Sequence, residues 1–290
     1  MLPNYKNHIM HGKYLIIYAC MLIPFACEKK IKEDLININK ITVLENINDN
    51  NSNMINKTKP FLYLNSSQFE ENMDNSIYDI AVYKDRLFIP DFRNNKLIIF
   101  ELPDGNISST FDVPMPHGIA IDKDGVIYIC TYRKNSIFVI EDSGTRTIES
   151  HQFNWPLSIA IKDNYIIIAN YGNDKSGNLI YSDDGLNTFH QFTNEWVDSK
   201  PHSIRINNKG EILVVYRDLP GIVIYNQNGQ IITQNKLSDK FDPISIVEYK
   251  SNYLVLDGLD GQIYLYDSSL NKLDHYYGGG YSPTNLTIWN

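Results

Sequence analysis

Two histidines occupy matching contexts, Pro116-His117-Gly118-Ile119 and Pro201-His202-Ser203-Ile204. An imidazole offers a metal a neutral nitrogen and offers a reaction a group that titrates near neutrality. Brought to one place, the pair could share a metal ion. A catalytic zinc usually takes three protein ligands, so a third must come from another part of the chain. The plainer reading is that histidine is one of several residues accepted at this position. A second set is rich in tyrosine and arginine: Arg93, Tyr132-Arg133, Tyr171 and Tyr216-Arg217. These side chains combine apolar area with fixed hydrogen-bond donors, the composition of a recognition surface. Asp91 and Asp257 stand at comparable places and read more simply as turn caps.

A repeat must position both sets. The stretch Pro116 to Gly144 starts a strand at Ile119-Ala120-Ile121, turns at Lys123-Asp124-Gly125, runs a second strand over Val126 to Cys130 and a third over Ile137 to Ile140. A weaker fourth strand is expected over Thr147 to Phe153. Alternating apolar residues bounded by residues that tolerate positive φ are the signature of hairpins. Equivalent starts have their central residue at positions 80, 119, 159, 204, 246 and 286, giving periods of 39, 40, 45, 42 and 40 residues. Units of this length, each a small sheet that cannot bury both faces alone, predict an all-β, six-bladed β-propeller. The sixth start, Pro283-Thr284-Asn285-Leu286, has no room for further strands before the end. Closure of the sixth blade by N- and C-terminal strands is therefore expected, with Phe61 to Leu64 and Ile41 to Leu44 as the N-terminal candidates; a truncated chain is the rival. In this arrangement the first ring around the channel is Tyr78, His117, Leu157, His202, Ile244 and Thr284. A third zinc ligand would fall at Thr284, which cannot play that part in the usual way.

The P-x-G/S-I-A starts, the Asp-Gly turns and the aromatic second strands resemble the NHL-type repeat of six-bladed propellers over residues 61–290. Such folds host enzymes, ligand binders and interaction platforms alike. The two Pro-His starts are also similar to the zinc-ligand motifs of the peptidyl-α-hydroxyglycine α-amidating lyases, which are propellers of this type. That resemblance implies zinc as cofactor with His117 and His202 as two of three metal histidines. It also implies Arg217 as an active-site arginine, with Arg93 and Tyr171 at looser equivalents; the third histidine is missing. Ser182 to Phe189 resembles the Asp-box turn of some propellers, with Leu186 in place of a usual glycine, and Asp184 is read as bonding turn amides.

Residues 1–26 hold Lys6 and Lys13, no acid, and an apolar run from Tyr14 ending in Ile23-Pro24-Phe25-Ala26-Cys27. The run is too short to span a bilayer. It resembles a bacterial lipoprotein signal peptide, which implies lipidation at Cys27 and an extracytoplasmic protein of the bacterial cell envelope, anchored to the membrane. Cys20 is the lesser alternative, and an ordinary secretory signal is the plainer one. Residues 27–59 read as a polar tether and 60–290 as the propeller. The net charge of −8 would become −10 after cleavage. Such a surface repels phosphate backbones, so nucleic acid is excluded as a partner. Cys130 would then have no disulfide partner and reads as a buried small hydrophobe. No Gly-Lys-Ser/Thr loop or G-x-S-x-G elbow supports nucleotide hydrolysis or α/β-hydrolase chemistry. Two functions remain: binding of a peptide, glycan or envelope protein through a Tyr/Arg-lined channel face, or a metal-assisted lyase or hydrolase in which Arg217 stabilises negative charge.

Overall fold

The computed structural model describes residues 15–20, 40–45 and 60–64 as strands, and residues 77–289 apart from 103, 174–176, 193–198 and 278–282. Three strands lie in the N-terminal part: β1 (Leu15–Cys20), β2 (Lys40–Glu45) and β3 (Pro60–Leu64). Then come five antiparallel sheets, each of four consecutive strands. The first comprises β4 (Ala81–Tyr83), β5 (Arg86–Asp91), β6 (Lys96–Glu101) and β7 (Asn106–Asp112). The second comprises β8 (Pro116–Ile121), β9 (Ile127–Thr131), β10 (Ser136–Glu141) and β11 (Gly144–Glu149). The third comprises β12 (Pro156–Lys162), β13 (Tyr165–Asn170), β14 (Asn178–Ser182) and β15 (His190–Gln191). The fourth comprises β16 (Pro201–Ile206), β17 (Ile212–Tyr216), β18 (Gly221–Tyr225) and β19 (Ile231–Lys236). The fifth comprises β20 (Pro243–Tyr249), β21 (Asn252–Asp257), β22 (Gln262–Tyr266) and β23 (Lys272–Tyr277). The last strand is β24 (Pro283–Trp289). The chain is thus an all-β propeller with five blades built from continuous sequence, where six were expected. The fourth strand of the second blade begins at Gly144, earlier than its sequence suggested.

The strands left over form one more sheet in the order β24-β1-β2-β3. It takes its innermost strand from the C-terminus and the other three from the N-terminal part, including both expected candidates. β1 falls inside the stretch read as a signal peptide and β2 inside the stretch read as a tether. Cys27 lies outside the described residues.

The first strands of successive sheets pack side by side around an axis, β4 on β8, β8 on β12, β12 on β16, β16 on β20, β20 on β24 and β24 on β4. Second strands are buried along nearly their whole length, whereas the outer strand β19 alternates between half-buried and exposed. The reason is stacking: a second strand has a neighbouring blade on each face. In β9, Ile127 and Ile129 pack with Phe88, Leu97 and Ile99 of the first blade, while Tyr128 and Cys130 pack with Ile159, Ile166 and Ile168 of the third. Each such aliphatic side chain stabilises the stack by about 1.5–3 kcal/mol. Cys130 is fully buried, and burial pushes its thiol well above the usual range.

Polar links cross every junction between first strands. Asp79 Oδ2 accepts from the Ile119 amide (3.0 Å), Ser158 Oγ from Ile204 (3.2 Å) and Ser245 Oγ from Leu286 (3.2 Å). The Asn285 amide group donates to the Tyr78 carbonyl (3.4 Å). At the remaining two junctions the link comes from the preceding residue: His117 Nδ1 donates to the Leu157 carbonyl (2.9 Å) and His202 Nδ1 to the Ile244 carbonyl (3.0 Å). Gly118 has no side chain to contribute, and a Cβ there would lie 2.5 Å from the Leu157 oxygen. Below this collar the Arg205 guanidinium reaches Asp79 (2.8 Å) and Asn285 (3.1 Å), joining the fourth blade to the first and to β24 across the axis.

Candidate functional site

The turns between second and third strands and the residues just before the first strands meet at one end of the channel. Local chemistry sets their conformation. Asn95 and Asn135 adopt left-handed φ of 55° and 53°, which asparagine tolerates better than most residues. From there Asn95 Oδ1 accepts the Met115 amide and Asn135 Oδ1 accepts the Trp155 amide, both at 2.8 Å. Trp155 is thereby fixed by the turn of the preceding blade.

In the second, third and fourth blades the residue after the second strand faces the residue that precedes the next blade. Tyr132 meets Trp155 with ring centroids 5.3 Å apart. Lys200 Nζ lies 4.4 Å from the centre of the Tyr171 ring, a cation–π contact. Arg217 grips Asp242 through two nitrogens, one of them at 2.6 Å. One geometric position thus carries an aromatic pair, then a cation on a ring, then an ion pair. Arg133 adds its guanidinium over Trp155 at 5.6 Å.

His117 lies at the inner edge of the aromatic sector. Tyr78 stacks on it at 4.4 Å and 8°, Tyr132 leans on it at 5.3 Å, and Phe92 approaches edge-on at 6.4 Å. Burial, reinforced by repulsion from His202, pushes the His117 imidazole down to about 3. Burial, with Arg217 nearby, pushes His202 to about 4. Both are neutral at pH 7. Burial, with Tyr171 adding to it, also raises the Tyr132 phenol above its usual range.

Of the residues singled out from sequence, His117, His202, Tyr132, Arg133, Tyr171 and Arg217 come together at this end. Arg93 is exposed beside Phe92 in the turn after β5. Tyr216 is not on this surface: it is fully buried, packed between the third and fourth blades, with its hydroxyl 3.0 Å from that of Tyr225. The cause is one step of register. Asp91, Thr131, Tyr216 and Asp257, the last residues of their strands, are all buried, and the mouth begins with the residue after each. Asp91 caps its turn by accepting from Asn94, and Asp257 accepts from the amides of Leu259 and Asp242. Asp184 accepts from Asn187 and Thr188 in the Asp-box-like turn, with Leu186 at φ 72° where a glycine is usual. Sequence reading passed over Phe92, Trp155, Lys200 and Asp242. The signal for the last three was their shared place, one residue before a first strand.

A zinc centre on the histidine pair would need a third protein donor. Among the described residues no group of three or more His, Cys, Asp or Glu side chains could hold a metal. The residues therefore do not fit a three-ligand zinc site. Nor is Arg217 a free cation, since Asp242 already neutralises it.

No family model matches the chain, and no curated protein matches it. Solved structures do. One is a catalytically inactive variant of virginiamycin B lyase from Staphylococcus aureus with quinupristin, 18% identical, with 84% of this chain covering 78% of that one at a TM-score of 0.62. A streptogramin B lyase is 15% identical, with 71% and 70% covered and a TM-score of 0.60. A nidogen/laminin complex contributes a chain 14% identical, with 96% and 98% covered and a TM-score of 0.70. At these identities the likeness establishes the propeller fold alone.

Proposed function

We propose that this chain is an NHL-type, six-bladed propeller of the bacterial cell envelope, held to the membrane by lipid on Cys27, that binds its ligand on the aromatic and cationic channel face. The observation that carries the binding reading is the run of pairs Tyr132–Trp155, Tyr171–Lys200 and Arg217–Asp242 around one channel mouth. Half-buried aromatic residues beside arginines are the composition from which binding energy is usually drawn. The sheet of β24, β1, β2 and β3 supports the count of six, because β24 stands beside both β20 and β4. Envelope proteins, peptides and glycans are the candidate ligands.

The test is to bind the full-length protein to envelope extract separated into protein and glycan fractions, comparing wild type with Trp155→Ala and Tyr132→Ala. Binding to one fraction that falls at least tenfold in both variants, while Ile232→Ser on the exposed outer strand β19 leaves it unchanged, supports the reading. Binding indifferent to Trp155 and Tyr132 rejects it. The anchor is tested separately by intact mass of the membrane-extracted protein. Lipid on Cys27 would mean that β1 has been removed, leaving β24, β2 and β3 for the sixth blade. A mass that retains residues 15–20 would refute cleavage there.

A metal-assisted lyase or hydrolase is the second reading. One observation favours it: each histidine gives Nδ1 to a carbonyl, the support that metal-bound imidazoles commonly have. Near-stoichiometric zinc that disappears in a His117→Ala/His202→Ala double variant would restore that reading.

A further inference from the structure

The two histidines differ from every other link in the collar. A carbonyl oxygen can only accept, so the bonds to Leu157 and Ile244 place the proton of each imidazole on Nδ1. That leaves Nε2 of each ring with a lone pair. Among the described residues, no hydrogen bond reaches either Nε2. Among the described residues, the fully enclosed side-chain atoms without a partner are Ser203 Oγ and Gln262 Oε1. The free nitrogens are therefore unpartnered but accessible, and a polar group in that condition is satisfied only by water or ligand.

The surroundings narrow what such a ligand can be. Two acceptors reject carboxylate and phosphate oxygens, which bring no proton. Arg133 and Lys200 already lie over the Trp155 and Tyr171 rings, so a cationic ligand meets like charge. The donor count fails for a metal. What remains is an uncharged molecule with several hydroxyl donors and an apolar face for the partly exposed rings of Tyr132 and Trp155.

We infer that Nε2 of His117 and Nε2 of His202 are paired acceptors for the hydroxyl groups of a carbohydrate ligand, seated above the Arg205–Asp79 bridge and against the Tyr132–Trp155 wall. This rests on the channel-face reading above and assigns that face its ligand class. A His→Asn change preserves a donor for the carbonyl but removes Nε2.

The experiment is long-range 1H–15N NMR of the histidine rings in the full-length protein, titrated with the methyl glycosides of glucose, galactose, mannose and N-acetylglucosamine. Methylammonium, acetate and zinc are titrated in parallel. The expected result is an Nδ1–H tautomer for both rings and displacement of both Nε2 signals by at least one glycoside. That affinity should weaken about tenfold in His202→Asn, the loss of one hydrogen bond. An Nε2–H tautomer, a response only to methylammonium, acetate or zinc, or no response to any glycoside overturns the inference, and the wild-type titration decides this even if His202→Asn does not fold. Silent histidines with envelope binding that still depends on Trp155 sink the carbohydrate assignment alone. Envelope binding indifferent to Trp155 sinks the channel-face reading itself.

Discussion

Ser158, Ser203 and Ser245 occupy the same place in three blades but have different energetic roles. Ser158 and Ser245 accept the amides of Ile204 and Leu286, whereas the buried Ser203 Oγ has no partner. A buried hydroxyl left unpaired costs about 1–3 kcal/mol. Ser203→Ala should therefore be neutral or stabilising, and Ser158→Ala should lose about 1–3 kcal/mol because it takes the side-chain acceptor from the buried Ile204 amide; urea unfolding of the two variants gives the comparison. His117 adds a dependence on pH. Its folded pKa of about 3 lies below the ordinary value of 6.5, so between those values the unfolded chain binds the extra proton. Stability from this group is complete above pH 6.5, falls as pH drops toward 3 and then levels off. The loss is on the order of a few kcal/mol. Urea midpoints at pH 7, 5 and 4 should fall more steeply for wild type than for His117→Asn.

Strands and turns place these side chains through local rules. The hairpin turns repeat one device: Asp122, Asn207, Asn226 and Asp267 each accept two amides of their own turn through Oδ1. Two of these turns were legible, as Asp124-Gly125 and Asn228-Gly229, because the chemistry lies within a few residues; those at Asn207 and Asp267 carry no such pair. The mouth of the channel uses a longer connection, from Asn135 to the Trp155 amide. Asn135→Ala should cost about 1 kcal/mol of stability by removing that bond. It should also release the Tyr132–Trp155 contact. Trp155 fluorescence should shift to longer wavelength in the variant; an unchanged spectrum would show that packing alone holds the ring. Strand β17 explains why Tyr216 misled: buried on both faces, Ile212–Tyr216 has no polar alternation from which its inward direction could be read.

Closure of the ring gives the molecule a feature that no single blade has, the Arg205–Asp79 bridge spanning residues 126 positions apart. Asp79 is almost fully buried and also holds the Ile80 and Ile119 amides, so losing the guanidinium strands a carboxylate in a low-dielectric channel. Arg205→Met should destabilise the protein by about 3 kcal/mol, and adding Asp79→Asn should recover part of the loss. Equal, additive losses in a double-mutant cycle would show that the pair is not coupled. The blade repeat, its spacing, the buried Cys130 and the capping roles of Asp91 and Asp184 were all determined by the sequence, because hydrophobic alternation and turn chemistry act over a few residues. Only the tertiary structure decided that His117 and His202 brace neighbouring blades, that Asp242 neutralises Arg217 and that Trp155 joins Tyr132. Those contacts form between blades, and their partners become neighbours only when the sheets stack around the axis.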